Sequence, residues 1–224
     1  MHMNYKNQIK FKQNKIKNIV SKYLNSNIKI NDIVYDNDKN YRNKVTFQVK
    51  EKLGFYNDNS YELINIDNCL ISDKLINKII PYLNKLNLKY INKIICRTGS
   101  NELMIIIESN KNINIDVLKG IASSIYLKTN NNYKHIYGNK NIYEKIGDYK
   151  YIISPYSFFQ TNTKIAEKLY KKIKEYVNEN NNILDLYCGT GSIGIYVNKN
   201  NNVIGIEKNE SAIKDALENI KINN

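Results

Sequence analysis

Tryptophan is absent from the 224 residues, and proline, arginine and cysteine are scarce, with two, two and three residues. Three widely spaced cysteines do not form a disulfide framework, which excludes a small secreted scaffold. No apolar run approaches the roughly 18 residues of a membrane span. The N-terminal segment lacks the apolar core of a signal peptide. We therefore expect no membrane association and a cytoplasmic location.

Acidic residues are also too few to balance the basic ones. The formal net charge is +13, and nearly every basic residue is a lysine. This excess fits a polyanionic partner such as a nucleic acid. Asparagine, isoleucine, lysine and tyrosine dominate the chain, however, and all four have A/T-rich codons. Genome base composition is therefore an alternative explanation of the charge.

The order of apolar residues predicts two domains, residues 1–150 and 151–224. The first is expected to mix helices and antiparallel strands in an α+β pattern. The second has the order β-α-β-α, the opening of a parallel, doubly wound sheet. Predicted helices cover residues 4–24, 74–86, 115–126, 164–177 and the segment after 209; predicted strands cover 45–49, 53–56, 61–66, 91–97, 103–108, 135–137, 143–146, 182–187 and 202–207.

A glycine-rich turn follows the strand predicted at 182–187. Gly189 and Gly191 have no side chain to block a ligand, and the N-terminus of the next helix offers free N–H groups. Glu207, sixteen residues after Gly191, ends the next strand, where a carboxylate can accept hydrogen bonds from ribose hydroxyls. The pattern indicates a nucleotide-like ligand, and a tight turn without a ligand is the alternative.

The turn also fits the dinucleotide pattern G-x-G-x-x-G through Gly194. Two residues argue against NAD. Asp185 lies four positions before Gly189, where dinucleotide sites are normally apolar, and Cys188 directly precedes that glycine. D-x-x-x-G-x-G followed by a strand ending in glutamate is the usual form of an S-adenosylmethionine site. The segment therefore favours S-adenosylmethionine over NAD.

Several segments together resemble the RNA 5-methyluridine methyltransferases. S-P-Y-S-F-F-Q-T-N at 154–162 resembles that family's S-P-x-x-F-x-Q-x-N segment, and D-L-Y-C-G-T-G at 185–191 resembles its D-L-Y-C-G-x-G motif. Y-R-N-K at 41–44 and L-G-F-Y at 53–56 resemble its upstream segments. The resemblance covers nearly the whole chain.

This resemblance implies an α/β protein: a mixed α+β central domain that contacts RNA, followed by the start of a Rossmann-like class I methyltransferase domain. The implied activity is methylation of uracil C5 in transfer or ribosomal RNA, with S-adenosylmethionine as methyl donor. The implied donor-site residues are Gln160, Asp185 (near the ammonium), Tyr187, Gly189, Gly191, Ser192 and Glu207 (at the ribose), and the implied RNA contacts are Arg42 and Lys44.

Structural roles are open alternatives for three of these residues. Gln160 could cap a helix, Tyr187 could be a core aromatic residue, and Arg42 could form a surface ion pair. Cys188 is interpreted as a small residue at a strand end.

The chain departs from the family at both ends. In the family, a cysteine thiolate adds to C6 of uracil and a general base later removes the C5 proton, and both groups lie downstream of the ribose acid. Here Cys69, Cys96 and Cys188 all precede Glu207. We expect a C-terminally truncated or split member that holds no catalytic residue, is inactive alone and is either poorly soluble or dependent on a second polypeptide. Cys69 matches one ligand position of the iron–sulfur cluster that some members hold, but a lone cysteine cannot hold a cluster, so we expect no metal.

Three hypotheses follow. The first is an S-adenosylmethionine-dependent RNA uracil-C5 methyltransferase of which this chain carries the donor-binding half. The second is a non-catalytic RNA-binding remnant of such an enzyme. The third is an NAD-binding oxidoreductase.

Overall fold

The computed structural model describes residues 3–24 and 28–224. Met1 and His2 lie outside the described residues. They begin the N-terminal segment in which we expect no signal peptide. Residues up to Asp38 form one compact unit, and residues from Lys39 onward form a second. The described elements in chain order are α1 (Tyr5–Tyr23), β1 (Lys44–Val49), β2 (Leu53–Tyr56), β3 (Leu63–Asn65), α2 (Lys74–Leu83), β4 (Ile91–Thr98), β5 (Leu103–Ser109), β6 (Ser124–Thr129), β7 (Asn132–Gly138), β8 (Ile142–Ile146), β9 (Tyr149–Ile153), α3 (Thr163–Glu175), β10 (Asn182–Leu186), α4 (Ser192–Val197), β11 (Asn202–Ile206) and α5 (Glu210–Asn223).

The first unit contains the long helix α1. The side chain of Asn4 accepts a hydrogen bond from the main-chain nitrogen of Asn7 and caps the helix N-terminus. None of the helix residues is buried, and Phe11 and Ile16 are exposed. Within the described residues, no helix has both the length and the apolarity needed to span a membrane.

The second unit is built on a seven-stranded sheet in the order β3-β2-β1-β4-β5-β6-β7. All neighbouring strands pair antiparallel except β5 and β6, which pair parallel. Both faces of β5 are covered, because Ile105 and Ile107 pack in one apolar cluster with α2 whereas Met104 and Ile106 pack in a second. The second cluster includes residues of the β8–β9 hairpin, α3 and α4. The sheet is therefore a central layer between two apolar cores.

A small sheet of two parallel strands, β10 and β11, follows α3. Asp185 pairs with Gly205 and Leu186 with Ile206, so both strands end at the same edge. One face carries Leu186 and Ile206, each more than half exposed. In parallel α/β sheets ligands bind at the carboxyl ends of the strands, and here those ends carry the predicted motif residues.

The predicted α/β class and its doubly wound start are confirmed. The helix predicted over residues 115–126 is wrong: a short 3₁₀ turn at Asp116–Leu118 is followed by β6. Gly120 has φ +78°, which ends the turn, and β6 is buried along most of its length, so its apolar residues do not alternate. The parallel β5–β6 pair and strand β9 were not predicted. The boundary predicted at residue 150 falls inside β9, and the division at that point stays a prediction.

Candidate functional site

The turn between β10 and α4 is held in a conformation that ordinary residues avoid. Tyr187, Gly189 and Gly191 have φ values of +59°, +55° and +72°. A non-glycine residue at positive φ is strained and is kept where the surrounding structure requires it. A Cβ added to Gly189 would meet no atom within 4 Å, so the open side of the turn is free space. Tyr187 is 90% exposed, which excludes the core-aromatic interpretation.

Glu207 closes this turn from the neighbouring strand. Its Oε2 accepts the main-chain N–H of Gly189 at 3.0 Å, and its Oε1 accepts the N–H groups of Lys208 and Asn209 at 2.7 and 2.8 Å. These three bonds, led by those from Asn209 and Gly189, lower the pKa of Glu207. The side chain is therefore an ionised carboxylate at the open edge of the two strands.

Asp185 lies within the last two residues of β10, before the glycine turn. Its Oδ2 accepts the main-chain N–H of Gly194 at 3.2 Å. Burial raises the pKa of Asp185, and the hydrogen bond from Gly194 offsets part of that shift. A cationic ligand near this carboxyl would favour its ionised form.

Ser192 faces the protein interior rather than the open edge. Its hydroxyl shares a 2.7 Å hydrogen bond with the hydroxyl of Tyr170, and its carbonyl accepts from the hydroxyl of Tyr151 at 3.1 Å. The two tyrosines therefore hold the first turn of α4 from behind.

The segment 154–162, which carries Gln160, is anchored by a buried arginine. Arg97 on β4 is 3% exposed, and its guanidinium donates to the carbonyls of Ser154 and Ser157, both at 2.8 Å. Burial lowers the pKa of Arg97 to about 10. Asp215 on α5 accepts the hydroxyl of Ser154 at 2.6 Å, and its own pKa is raised by burial. This group of buried polar residues fixes the start of the segment.

The same face of α5 also holds the glycine turn. One turn after Asp215, the buried Asn219 donates from Nδ2 to the carbonyl of Thr190 at 3.0 Å and accepts from the main-chain nitrogen of Ile152 at 2.6 Å. Helix α5 therefore joins the glycine turn to β9 and the segment that follows it. Asp185, Gly189, Gly191 and Glu207 come together directly, whereas Gln160 is linked to them through α5.

Gln160 is half-buried, and its main-chain carbonyl accepts from Nδ2 of Asn43 at 2.9 Å. The helix-cap interpretation of Gln160 is wrong, because the cap of α3 is Asn162, whose side chain accepts from the nitrogen of Ile165. Asn43 belongs to the Y-R-N-K segment, so this contact joins two of the segments that carry the resemblance.

The two predicted RNA contacts differ in exposure. Arg42 is exposed, while its main-chain nitrogen and carbonyl bond to Ile71 and Asp73. Lys44 is half-buried opposite Arg97, and burial together with that positive charge lowers its pKa. Arg42 is therefore the more accessible of the two side chains.

The three cysteines are free thiols. Cys96 is buried in the core of the sheet, and burial raises its pKa. Cys188 is half-buried at the glycine turn, and burial followed by the charges of Asp185 and Glu207 raises its pKa. Among the described residues, no group of three or more histidine, cysteine or acidic side chains is placed to hold a metal ion. The expectation of no iron–sulfur cluster stays a prediction.

A cavity of about 820 Å³ runs along β11 between α4 and α5. Asp185, Gly191 and Glu207 line it, and it extends to residues 198–200, which precede β11. Gln160, Tyr187, Gly189 and Ser192 do not line it. Most of this cavity is therefore space between the helices and the strand, and it overlaps the candidate site only at the strand ends.

Sequence reasoning missed the residues that hold the site together: Asn43, Arg97, Asp215 and Asn219. One signal existed for Arg97, since arginine is rare in this lysine-rich chain and a planar guanidinium suits paired carbonyls. The asparagines could not be distinguished from the many others in the sequence.

Comparisons with known proteins show which proteins this chain resembles. An uncharacterised RNA methyltransferase of Staphylococcus aureus is 31% identical, over 99% of this chain and 59% of that protein. One from Caldanaerobacter subterraneus is 32% identical, over 99% of this chain and 58% of that protein. The chain thus spans less than two-thirds of the length of these relatives.

A solved structure matches almost the whole chain as well. The crystal structure of Pyrococcus abyssi tRNA (uracil-54, C5)-methyltransferase in complex with S-adenosyl-L-homocysteine is 27% identical and matches with a TM-score of 0.87, over 99% of this chain and 61% of that chain. A family model described as DNA methylase matches residues 2–218. The chain belongs to this methyltransferase family.

Proposed function

We propose that this chain binds S-adenosylmethionine at the carboxyl ends of β10 and β11 and forms the donor-binding part of an RNA uracil-C5 methyltransferase. The observation that carries the proposal is the hydrogen bond between Gly189 and Glu207, which places an ionised acid beside an open glycine turn. Support comes from the match to a tRNA uracil-C5 methyltransferase solved with S-adenosyl-L-homocysteine.

The residues at the strand ends fit this donor. An ionised carboxylate has roughly four acceptor positions, and three N–H groups already bond to Glu207, so Oε2 retains one for a ribose hydroxyl. The free space beside Gly189 leaves room for the amino-acid portion of the donor. Asp185, as a carboxylate, would attract the ammonium group, and Tyr187 would cover the ligand from the solvent side. When bound, the donor supplies an electrophilic methyl group on a sulfonium centre.

The described thiols are poorly suited to attack uracil. A nucleophilic cysteine must be a thiolate, which requires a lowered pKa and access to the ring. The pKa is raised for both Cys96 and Cys188, and Cys69 lies before α2, where its main chain bonds to Asn77. We therefore propose that the thiolate and the base come from residues outside these 224, in the same or a second polypeptide.

The polymer substrate is proposed to be RNA. The family model is described as a DNA methylase. The relatives and the solved structure, which also match nearly the whole chain, are named as methyltransferases of RNA and tRNA. The Y-R-N-K segment, with the exposed Arg42, adds to the case for RNA. DNA remains the second candidate, favoured by the description of the family model.

Helix α1 offers a surface for the phosphate backbone. It has six lysines and no acidic residue, so it contributes six of the +13 charges. In the part of the chain that the structure describes, the other two helices longer than ten residues are mixed: α3 has five lysines and two glutamates, and α5 has two lysines and three acids. Codon bias acts on the whole chain, so it does not by itself explain why one long helix lacks acids.

The test is a set of three assays on the purified chain. Calorimetry should detect binding of S-adenosylmethionine, and filter binding should detect salt-sensitive binding of RNA in preference to duplex DNA. Tritiated-methyl transfer to undermethylated RNA should be absent with this chain alone. Methyl transfer by the chain alone would assign the nucleophile to one of its three cysteines. RNA binding without donor binding would support the alternative of an RNA-binding remnant.

A further inference from the structure

Asn43 makes an unusual set of contacts with the segment that carries Gln160. It is 9% exposed and lies immediately before β1. Its Nδ2 donates to the carbonyl of Gln160 at 2.9 Å and to Oγ1 of Thr163 at 3.1 Å. Its main-chain nitrogen donates to the carbonyl of Thr161 at 2.9 Å. One residue therefore engages two consecutive carbonyls and the first side chain of α3.

These contacts restrain the backbone next to the Gln160 side chain. The carbonyl of Gln160 belongs to the peptide plane that begins at its own Cα, and the carbonyl of Thr161 belongs to the next plane along the chain. Each peptide unit is planar, so the two bonds fix the backbone on the C-terminal side of Gln160. The Cα that carries the Gln160 side chain lies in the first of these planes and is held with it.

Asn43 is itself held firmly. Its carbonyl accepts from the main-chain nitrogen of Thr98 at 2.8 Å, at the end of β4. Thr163, which it contacts, donates to Oε2 of Glu144 at 3.0 Å, and Oε1 of Glu144 accepts from Ser100 at 3.0 Å. The sheet thus bonds the carbonyl of Asn43, and Glu144 of the β8–β9 hairpin holds Thr163, the α3 residue that Asn43 contacts, so the position of Asn43 is set by the rigid part of the unit.

We propose that Asn43 is a positioning residue for the methyl-donor site: it orients Gln160 toward the donor and makes no contact with the donor itself. This inference rests on the proposed function and on the expectation from the family resemblance that Gln160 contacts the donor. It changes the interpretation of the Y-R-N-K segment, in which Arg42 faces solvent and the next residue, Asn43, supports the donor site.

The experiment is a double-mutant cycle on donor affinity. Asn43→Ala removes both amide donors, and Gln160→Ala removes the side chain through which Asn43 is proposed to act. Each single variant should weaken binding of S-adenosylmethionine by about tenfold, the scale of one lost hydrogen bond. The double variant should be no weaker than Gln160→Ala, because coupled residues are not additive. Asn43→Asp, which keeps the shape but replaces the amide donors by a carboxylate, should behave like Asn43→Ala.

Asn77→Ala is the matched control. Asn77 also bonds a loop main chain through its amide, at Cys69 and Ser72, but it lies on α2. Its variant should lose thermal stability without losing donor affinity. Unchanged donor affinity in Asn43→Ala, or additive losses in the double variant, would overturn the inference alone. Failure of the parent chain to bind the donor would overturn the proposed function and this inference with it.

Discussion

The main-chain nitrogen of Gly189 donates to Oε2 of Glu207 over 3.0 Å and joins the ends of two neighbouring parallel strands. The bond fixes the carboxylate before any ligand arrives, since Oε1 is held by Lys208 and Asn209 at the same time. A pre-oriented acceptor loses little conformational freedom on binding. Glu207 is therefore the residue on which the proposed donor site depends most.

Replacing Glu207 by alanine should weaken binding of S-adenosylmethionine by about 10- to 100-fold, the range for losing a charged acceptor. The effect combines the lost ribose contact with a looser turn at Gly189. Calorimetry measures it directly. Glu210→Ala is the control, because Glu210 is an exposed acid on the first turn of α5 and should leave affinity unchanged. Equal affinities for the Glu207 variant and the parent would refute the ribose assignment.

Donor affinity should depend on pH through Asp185. Burial raises its pKa above the ordinary value of 3.8, so the carboxylate that attracts the ammonium group forms only as pH rises through that raised pKa. Affinity should therefore increase over this interval. The free energy of unfolding should decrease as pH rises through the same interval, because the folded state binds this proton more tightly than the unfolded state. An Asp185→Asn variant should show neither trend, and a pH-dependent affinity that persists in it would exclude Asp185 as the source.

The sequence predicted the parts of the site whose chemistry is local. The glycine turn and the acid ending the next strand depend on residues close together in the chain. The supports of the site depend on contacts across long sequence separations, such as Asn43 with Gln160 and Arg97 with Ser154. No periodicity encodes those contacts. The 115–126 segment was mispredicted because a strand buried on both faces has the same apolar run as a buried helix.

Arg97 should be required for stability rather than for ligand contact. Arg97→Met removes both donors to the carbonyls of Ser154 and Ser157 and leaves these buried acceptors unpaired, so the free energy of unfolding should fall by about 3 kcal/mol. Urea denaturation followed by circular dichroism measures the change. Arg42→Met, at an exposed position, should change stability by less than about 0.5 kcal/mol. Similar stabilities for the two variants would contradict the anchoring role.

The lysines of α1 should account for part of the salt dependence of RNA binding. Lys6, Lys10 and Lys17 lie on one side of the helix at 3.6 residues per turn, and all three are exposed. Changing them to glutamine should reduce the slope of log affinity against log salt by about 2, because each phosphate contact contributes roughly 0.7–0.9.

The control for α1 is a charge-matched variant with glutamine at Lys50, Lys52 and Lys214, which are exposed lysines on the second unit. Its salt slope should change by less than that of the α1 variant. Equal slopes for the two variants would mean that RNA responds to net charge alone, with no role specific to α1.

The most direct test of the account is calorimetric titration of the purified chain with S-adenosylmethionine and, separately, with NAD. Binding of S-adenosylmethionine should be saturable at one site, competed by S-adenosyl-L-homocysteine and weakened by Glu207→Ala, and NAD should not bind. Binding of NAD in preference to S-adenosylmethionine, or no binding of either, would contradict the central claim that the ends of β10 and β11 form a methyl-donor site.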